Sequence, residues 1–355
     1  MGSLLALELG STLTSCAGTD YYAPEDFEKA PKADAHFHYN TFDDAVLKYA
    51  ASINMHIMTI NVDGGESIDE QLAIAQSLKN KHPGMIDFLG TFSVENFGSE
   101  NFVEETIKQI DKCMQAGAKG IKIWKNIGMV LKDKEDNYVM ADHPAFAPVF
   151  TYLEKEHIPV VAHLGEPRNC WLPYEEITME SDLSYYRNNP QYHMYQHPDA
   201  PSYDEQITAR DNLLKSYPQL NLCGAHIGSL EWNLDEVARR FDKYPNFTID
   251  LSARMGHVQL HTIENREKVK SFFIKYSDRI TYGSDTGLGN VTNIEQRCRN
   301  LYNTWRAHWL FLATGETIPA DKFNTANPPE QITGLQLPKN VIDNIFASNF
   351  RRLFN

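Results

Sequence analysis

Ala33-Asp34-Ala35-His36-Phe37-His38 is a short apolar run that ends on two histidines, and its reading decides the fold. On a β-strand, residues two apart point to the same side, so His36 and His38 aim two imidazoles at one spot. Converging nitrogens of this kind suit a divalent cation. Three later β-rich runs also stop on a ligand-type residue: Val161-Ala162-His163, Gly224-Ala225-His226 and Gly283-Ser284-Asp285. Four runs that end this way predict a metal centre at one rim of a barrel.

Outward from that stretch, β-rich and amphipathic segments alternate. The strand candidates are 33–38, 56–62, 85–94, 118–124, 158–164, 220–227, 247–253 and 279–285. Helical spacing of apolar residues fills the gaps, as at Ile68, Leu72, Ala75 and Leu78 within 67–81. Helices are also expected over 102–115, 144–156, 203–216, 234–243 and 263–276. About eight such units predict a (β/α)₈ TIM barrel, which carries its chemistry on loops at the carboxyl ends of the strands. Two connections exceed a simple turn. Residues 165–202 follow the fifth strand and are rich in Trp and Tyr; residues 287–338 follow the eighth and include a helical piece, 295–313. Loops of this length serve as lids or binding loops. An amphipathic helix over 341–354 closes the chain.

The net charge of −14 over 355 residues excludes the basic face that nucleic-acid binding requires. None of the five cysteines forms a Cys-x-x-Cys pair, so a structural zinc cluster is not expected. Leu13-Thr14-Ser15-Cys16 follows an apolar stretch and has the form of a lipobox. Glu8 and the lack of a preceding Lys or Arg run against that reading, and a plain leader is the alternative. The expected organisation is a leader and linker over 1–31 and one barrel over 32–355. A functional lipobox implies a lipid-anchored, periplasmic protein; otherwise the chain is cytoplasmic. That anchor would be the sole membrane contact, since no later stretch is apolar enough to span.

The metal shell read from the strand ends is His36, His38, His163 and Asp285, three nitrogens and one carboxylate, which suits Zn²⁺. Mn²⁺ and a binuclear site are the alternatives. Asp285 is also placed to take a proton from water, although Ser-Asp-Thr-Gly is good helix-cap chemistry as well. His226 is either a second-metal ligand or a catalytic group that handles protons or polarises a carbonyl. Lys122, on the fourth strand, is read as an inward cation that pairs with a carboxylate or contacts substrate. Arg254, Glu166 and Trp171 are candidate substrate contacts. A surface ion pair and loop packing are the bland readings for Arg254 and Trp171 respectively.

At these residues the chain resembles the amidohydrolase superfamily. More narrowly, it resembles the amidohydrolase-related branch that includes aminocarboxymuconate-semialdehyde decarboxylase-like enzymes. The resemblance covers about residues 32–355. It rests on Asp34-Ala35-His36-Phe37-His38, Gly120-Ile121-Lys122-Ile123, Ala162-His163-Leu164-Gly165-Glu166, Gly224-Ala225-His226-Ile227-Gly228-Ser229, Gly283-Ser284-Asp285 and Ala347-Ser348-Asn349-Phe350-Arg351-Arg352-Leu353-Phe354. It implies ligation by His36, His38, His163 and Asp285, and either ligation or acid/base work at His226. It also implies one metal ion rather than two, a carboxylated lysine at Lys122 in branches where that residue bridges two metals, and frequent pairing into dimers.

The expected activity is metal-dependent hydrolysis of an ester, lactone or amide in a small-molecule substrate. A non-oxidative decarboxylase on the same scaffold is the alternative, and a non-catalytic binding protein is a third reading. No Gly-x-x-x-x-Gly-Lys, Gly-x-Gly-x-x-Gly or Gly-x-Ser-x-Gly motif argues for nucleotide or serine chemistry.

Overall fold

In the computed structural model, which describes residues 20–354, β1 (Lys32–Tyr39) is buried along nearly its whole length. The lipobox reading at Cys16 lies outside the described residues. After β1 come α1 (Ala45–Ser52), β2 (Met55–Ile60), α2 (Ile68–Lys81), β3 (Ile86–Thr91), α3 (Phe102–Gln115) and β4 (Ile121–Ile123). A single turn, α4 (Asn126–Met129), precedes α5 (Ala147–Lys155) and β5 (Val160–Ala162). The chain continues through α6 (Glu180–Asn188), α7 (Tyr203–Ser216), β6 (Leu222–Gly224), the turn α8 (Ala225–Gly228), α9 (Leu234–Lys243) and β7 (Phe247–Asp250). It then forms α10 (Met255–Lys275), β8 (Ile280–Thr281), β9 (Thr286–Leu288) and α11 (Ile294–Ala313). A small antiparallel pair, β10 (Thr317–Pro319) and β11 (Gln331–Thr333), leads to α12 (Lys339–Asp343) and α13 (Asn349–Phe354).

Local chemistry accounts for the helix ends. Ser67 caps α2 by accepting the Glu70 N–H, with Asp69 and Glu70 in the first turn and Lys79 and Lys81 in the last, as the helix dipole favours. Ser202 and Glu205 form a reciprocal capping box at α7. In α9, Leu234, Val237 and Phe241 lie along one buried stripe.

The strands run in order β8-β7-β6-β5-β4-β3-β2-β1-β9, and every neighbouring pair is parallel. The last strand returns to the first. Ala35 N–H donates to Tyr282 O at 2.9 Å and Asp285 N–H to His36 O at 2.8 Å, which stitches the end of β8 to β1 and closes a (β/α)₈ barrel. Pairing of β1 with β2 shifts register between Asp34 and Phe37, beside this closure.

The barrel interior is layered. Ala33, Ala35, Met58, Ile60, Leu89, Val161 and Cys223 pack together as an apolar plug, and Phe350 and Phe354 of α13 join them. Each of those rings contributes about 1.5–3 kcal/mol by burial. Nearer the carboxyl ends of the strands the buried side chains become polar: Lys122 of β4, Asp250 of β7, His36 of β1 and His163 just past β5.

Strands are shorter than the sequence suggests. His163, His226 and Asp285 lie just past β5, β6 and β8 rather than within them. The sequence analysis omits α1, β9 and α6, and α10 begins at Met255, with a break at Asn265, rather than at 263. Among the described residues, no helix is long and apolar enough to cross a membrane.

Candidate metal centre

His36 and His38 reach the centre from β1, and Asp285 from the turn that follows β8. One ligand atom from each of the three lies within 4.8 Å of the others. Asp285 Oδ1 is 3.4 Å from His36 Nε2 and 3.2 Å from His38 Nε2.

The hydrogen-bond partners fix where the ring protons sit. His38 Nδ1 is 2.9 Å from the Ile60 carbonyl, which can only accept, so Nδ1 carries the hydrogen. His36 Nδ1 is 2.7 Å from Asp250 Oδ2, again an acceptor. Burial, with the Lys122 ammonium adding to it, lowers the His36 pKa and keeps that ring neutral. With Nδ1 turned to an acceptor, each ring directs its Nε2 at the same carboxylate oxygen. A cation set between these three atoms would be within reach of all of them. The donor set of two imidazoles and a carboxylate fits zinc.

The same reasoning extends to His226 and His163. His226 Nδ1 is 3.0 Å from the Ser252 carbonyl, so its Nε2 is an acceptor. That Nε2 lies 3.2 Å from His163 Nδ1, which must then be the donor. His163 Nε2 is left as a buried lone pair with no hydrogen-bond partner among the described residues, 3.4 Å from Glu166 Oε2. Burial pushes the His163 pKa down to about 4, so the ring stays neutral. His163 thus stands apart from the cluster of His36, His38 and Asp285, with its Nε2 unpartnered among the described residues.

Strained backbone positions His226 and Asp285. Residues 226–229 are all left-handed, with φ of 59°, 59°, 60° and 56°, and Asp285 has φ 62°. For a β-branched residue such as Ile227 this conformation is a true outlier. The surroundings hold it: Asp250 Oδ1 accepts the His226 N–H at 2.8 Å, Ser229 Oγ donates to Gly165 O at 3.0 Å, and Arg210 donates to Gly228 O.

A cavity of about 350 Å³ opens over the imidazoles. Its lining includes His36, His38, His163, His226 and Asp285, with Lys122, Glu166 and Arg254 on its wall. Lys122 Nζ is 3.4 Å from His36 Nε2, and burial pushes its pKa down to about 8. Burial alone would raise the Glu166 carboxyl, but the Lys125 ammonium bonded to it holds it well below the usual range. Arg254 lies 3.9 Å from Glu166 and 3.7 Å from Asp182. A roomier groove of about 600 Å³, lined by Asp63, Glu66, Asp69 and Glu95, contains none of the imidazoles.

Trp171 is the candidate that the structure places elsewhere. Its indole donates to Pro201 O at 3.1 Å and meets Tyr203 edge-on, packing the loop against the barrel. The cavity wall is built instead by Asp182, Tyr185 and Tyr186 on α6, together with Trp124 and Lys125 after β4. The signal for α6 is in the sequence: Ser181, Asp182, Tyr185 and Tyr186 are spaced to share one helical face.

Comparison with known proteins adds a family. The Amidohydrolase family model matches residues 97–355. No curated protein matches. Among solved structures, the chain is similar to an uncharacterised TIM-barrel protein from Bordetella bronchiseptica, at 12% identity and TM-score 0.47, covering 91% of this chain and 98% of that one. It is also similar to 4-oxalomesaconate hydratase from Rhodopseudomonas palustris, at 12% identity and TM-score 0.46, covering 91% and 95%. A third similar structure is 5-carboxyvanillate decarboxylase from Sphingomonas paucimobilis, at 14% identity and TM-score 0.42, covering 84% and 78%.

Proposed function

Because this chain belongs to the Amidohydrolase family, we propose that it is a zinc-dependent hydrolase acting on an ester, lactone or amide bond of a small molecule. The observation that carries this reading is the meeting of one ligand atom each from His36, His38 and Asp285 within 4.8 Å of one another. His163, with its bare Nε2, is the fourth ligand of the proposed shell.

Zinc, when bound, supplies Lewis acidity that polarises a substrate oxygen and makes water easier to deprotonate. The chain's residues do the rest. Asp285, facing the cavity, accepts the proton of the attacking water through its second oxygen. His226 holds His163 in place through Nε2 and takes part in proton transfer when substrate displaces that bond. Arg254 and Lys122 present positive charge to the oxygen that becomes negative as the carbonyl carbon turns tetrahedral. Tyr185, Tyr186 and Trp124 form the apolar wall against which the substrate body packs.

Arg254 and Lys122 also support a second reading, in which they bind a carboxylate that leaves as CO₂. One experiment separates the two. The full-length protein is stripped with a chelator, reloaded with zinc, and assayed on a panel of esters, lactones, amides and aryl or enoic carboxylates. Zinc-restored hydrolysis supports the proposal, and zinc-restored CO₂ release supports the second reading. Equal turnover in the stripped protein contradicts both.

A further inference from the structure

Asp250 touches none of the cavity, yet it is the most heavily bonded carboxylate near it. Its Oδ2 accepts from His36 Nδ1 at 2.7 Å. Its Oδ1 accepts the backbone N–H of His226 at 2.8 Å, that of Ser252 at 3.1 Å, and the Ser252 hydroxyl. The Ser252 hydroxyl, having donated to Asp250, offers its lone pairs to His36 Nδ1 at 3.1 Å and His226 Nδ1 at 2.9 Å. Only one assignment of hydrogens satisfies every one of these contacts. His36 and His226 both carry their proton on Nδ1, and the His226 lone pair then requires His163 to carry its own on Nδ1.

We propose that Asp250, with Ser252, is a positioning residue that sets the tautomer of three imidazoles, one on β1 and two just past β5 and β6. It leaves His36 Nε2 and His163 Nε2 as lone pairs before any metal arrives. The order runs outward from β7: Asp250 to His36 directly, and through the Ser252 turn to His226 and on to His163. This rests on the proposed metal site for its consequence, but the proton order itself is a property of the metal-free chain.

The geometry gives the Asp250→Asn variant a definite outcome. Two backbone N–H donors and a hydroxyl fix the side-chain oxygen on the Oδ1 side. The new NH₂ must then occupy the Oδ2 position and donate to His36 Nδ1. His36 is forced to accept there and to carry its proton on Nε2, where it can no longer bind a metal. The wrong tautomer in an intact site is a known route to large losses in other enzymes.

The test is ¹⁵N NMR of the full-length protein labelled at histidine, with zinc affinity measured by chelator competition. In the metal-free wild type, His36, His163 and His226 are expected as the Nδ1–H form. In Asp250→Asn, His36 is expected as Nε2–H, with zinc affinity reduced about 10–100-fold, the usual effect of losing a ligand's supporting group. His36 remaining Nδ1–H in the variant overturns the proposal, as does any of the three found as Nε2–H in the wild type. Should the variant not fold, the wild-type spectrum alone decides. Should the wild type show the expected tautomers but bind no zinc, the proposed function fails and the proton order stands.

Discussion

His226 Nε2 and His163 Nδ1 lie 3.2 Å apart, joining two strand-end imidazoles in one hydrogen bond. Because His226 is the acceptor, it orients His163 as well as lining the cavity. Replacing His226 by alanine is therefore expected to lower kcat about 10²–10⁴-fold and also to weaken zinc binding about 10–100-fold. Steady-state kinetics and chelator competition on one preparation check both effects. A loss of kcat with zinc affinity untouched would assign His226 to proton transfer alone.

Asp285→Asn keeps the side-chain shape and removes the charge. The amide lacks the negative charge that offsets a cation and cannot take up a proton from water. Activity is expected to fall at least about 10²-fold, with the melting temperature little changed in the metal-free protein.

Lys125 and Glu166 form a buried pair, with Tyr185 OH 2.9 Å from the ammonium. Removing either partner strands a charge in the cavity wall. Lys125→Met or Glu166→Gln alone is expected to cost about 3–5 kcal/mol, and the double variant distinctly less than the sum. Urea unfolding of the four proteins measures the coupling.

Gly283 sits against His36, a ligand of the proposed metal shell. A Cβ there would lie 2.7 Å from His36 Cβ and 3.2 Å from Ser252 Cβ. Gly283→Ala is expected to destabilise the fold by about 1–3 kcal/mol and to weaken zinc binding, because the crowded neighbour is a ligand. Unchanged zinc affinity would mean that His36 can shift without loss.

Stability should fall on the acid side through His308. Burial lowers its pKa to about 4, and its Nδ1 lies 2.9 Å from the Tyr282 hydroxyl. The unfolded chain, with an ordinary histidine near 6.5, binds the proton first. The contribution is thus complete above pH 6.5 and is lost as pH falls from there towards 4. His308→Gln is expected to flatten that part of the stability profile, measured by urea unfolding between pH 7 and pH 4.5.

The barrel and its rim were legible because ligand-type residues close the β-rich runs at His38, His163, His226 and Asp285. The bounds of α3 and α9 follow directly from apolar spacing. What stayed hidden depends on tertiary packing. Helix α6 has no side-chain cap to mark its start, and Leu183 and Tyr186 anchor it on Cys170, Ile177 and Met194, so its bounds are set by packing. Strand β9 is three residues long and exists because the left-handed turn at Asp285 lays it beside β1. The ring tautomers depend on carbonyls and carboxylates brought in from other strands. Trp171 belongs to an aromatic-rich loop, and composition alone could not tell its packing tryptophan from the tyrosines that line the cavity.

The central claim is that His36, His38 and Asp285 surround a cation. Metal analysis of the zinc-reconstituted, dialysed protein tests it most directly, with His36→Ala and His38→Ala treated alongside. The account predicts about one tightly held zinc per wild-type chain and none in either variant. A wild type that retains no metal, or variants that retain as much as the wild type, would contradict it.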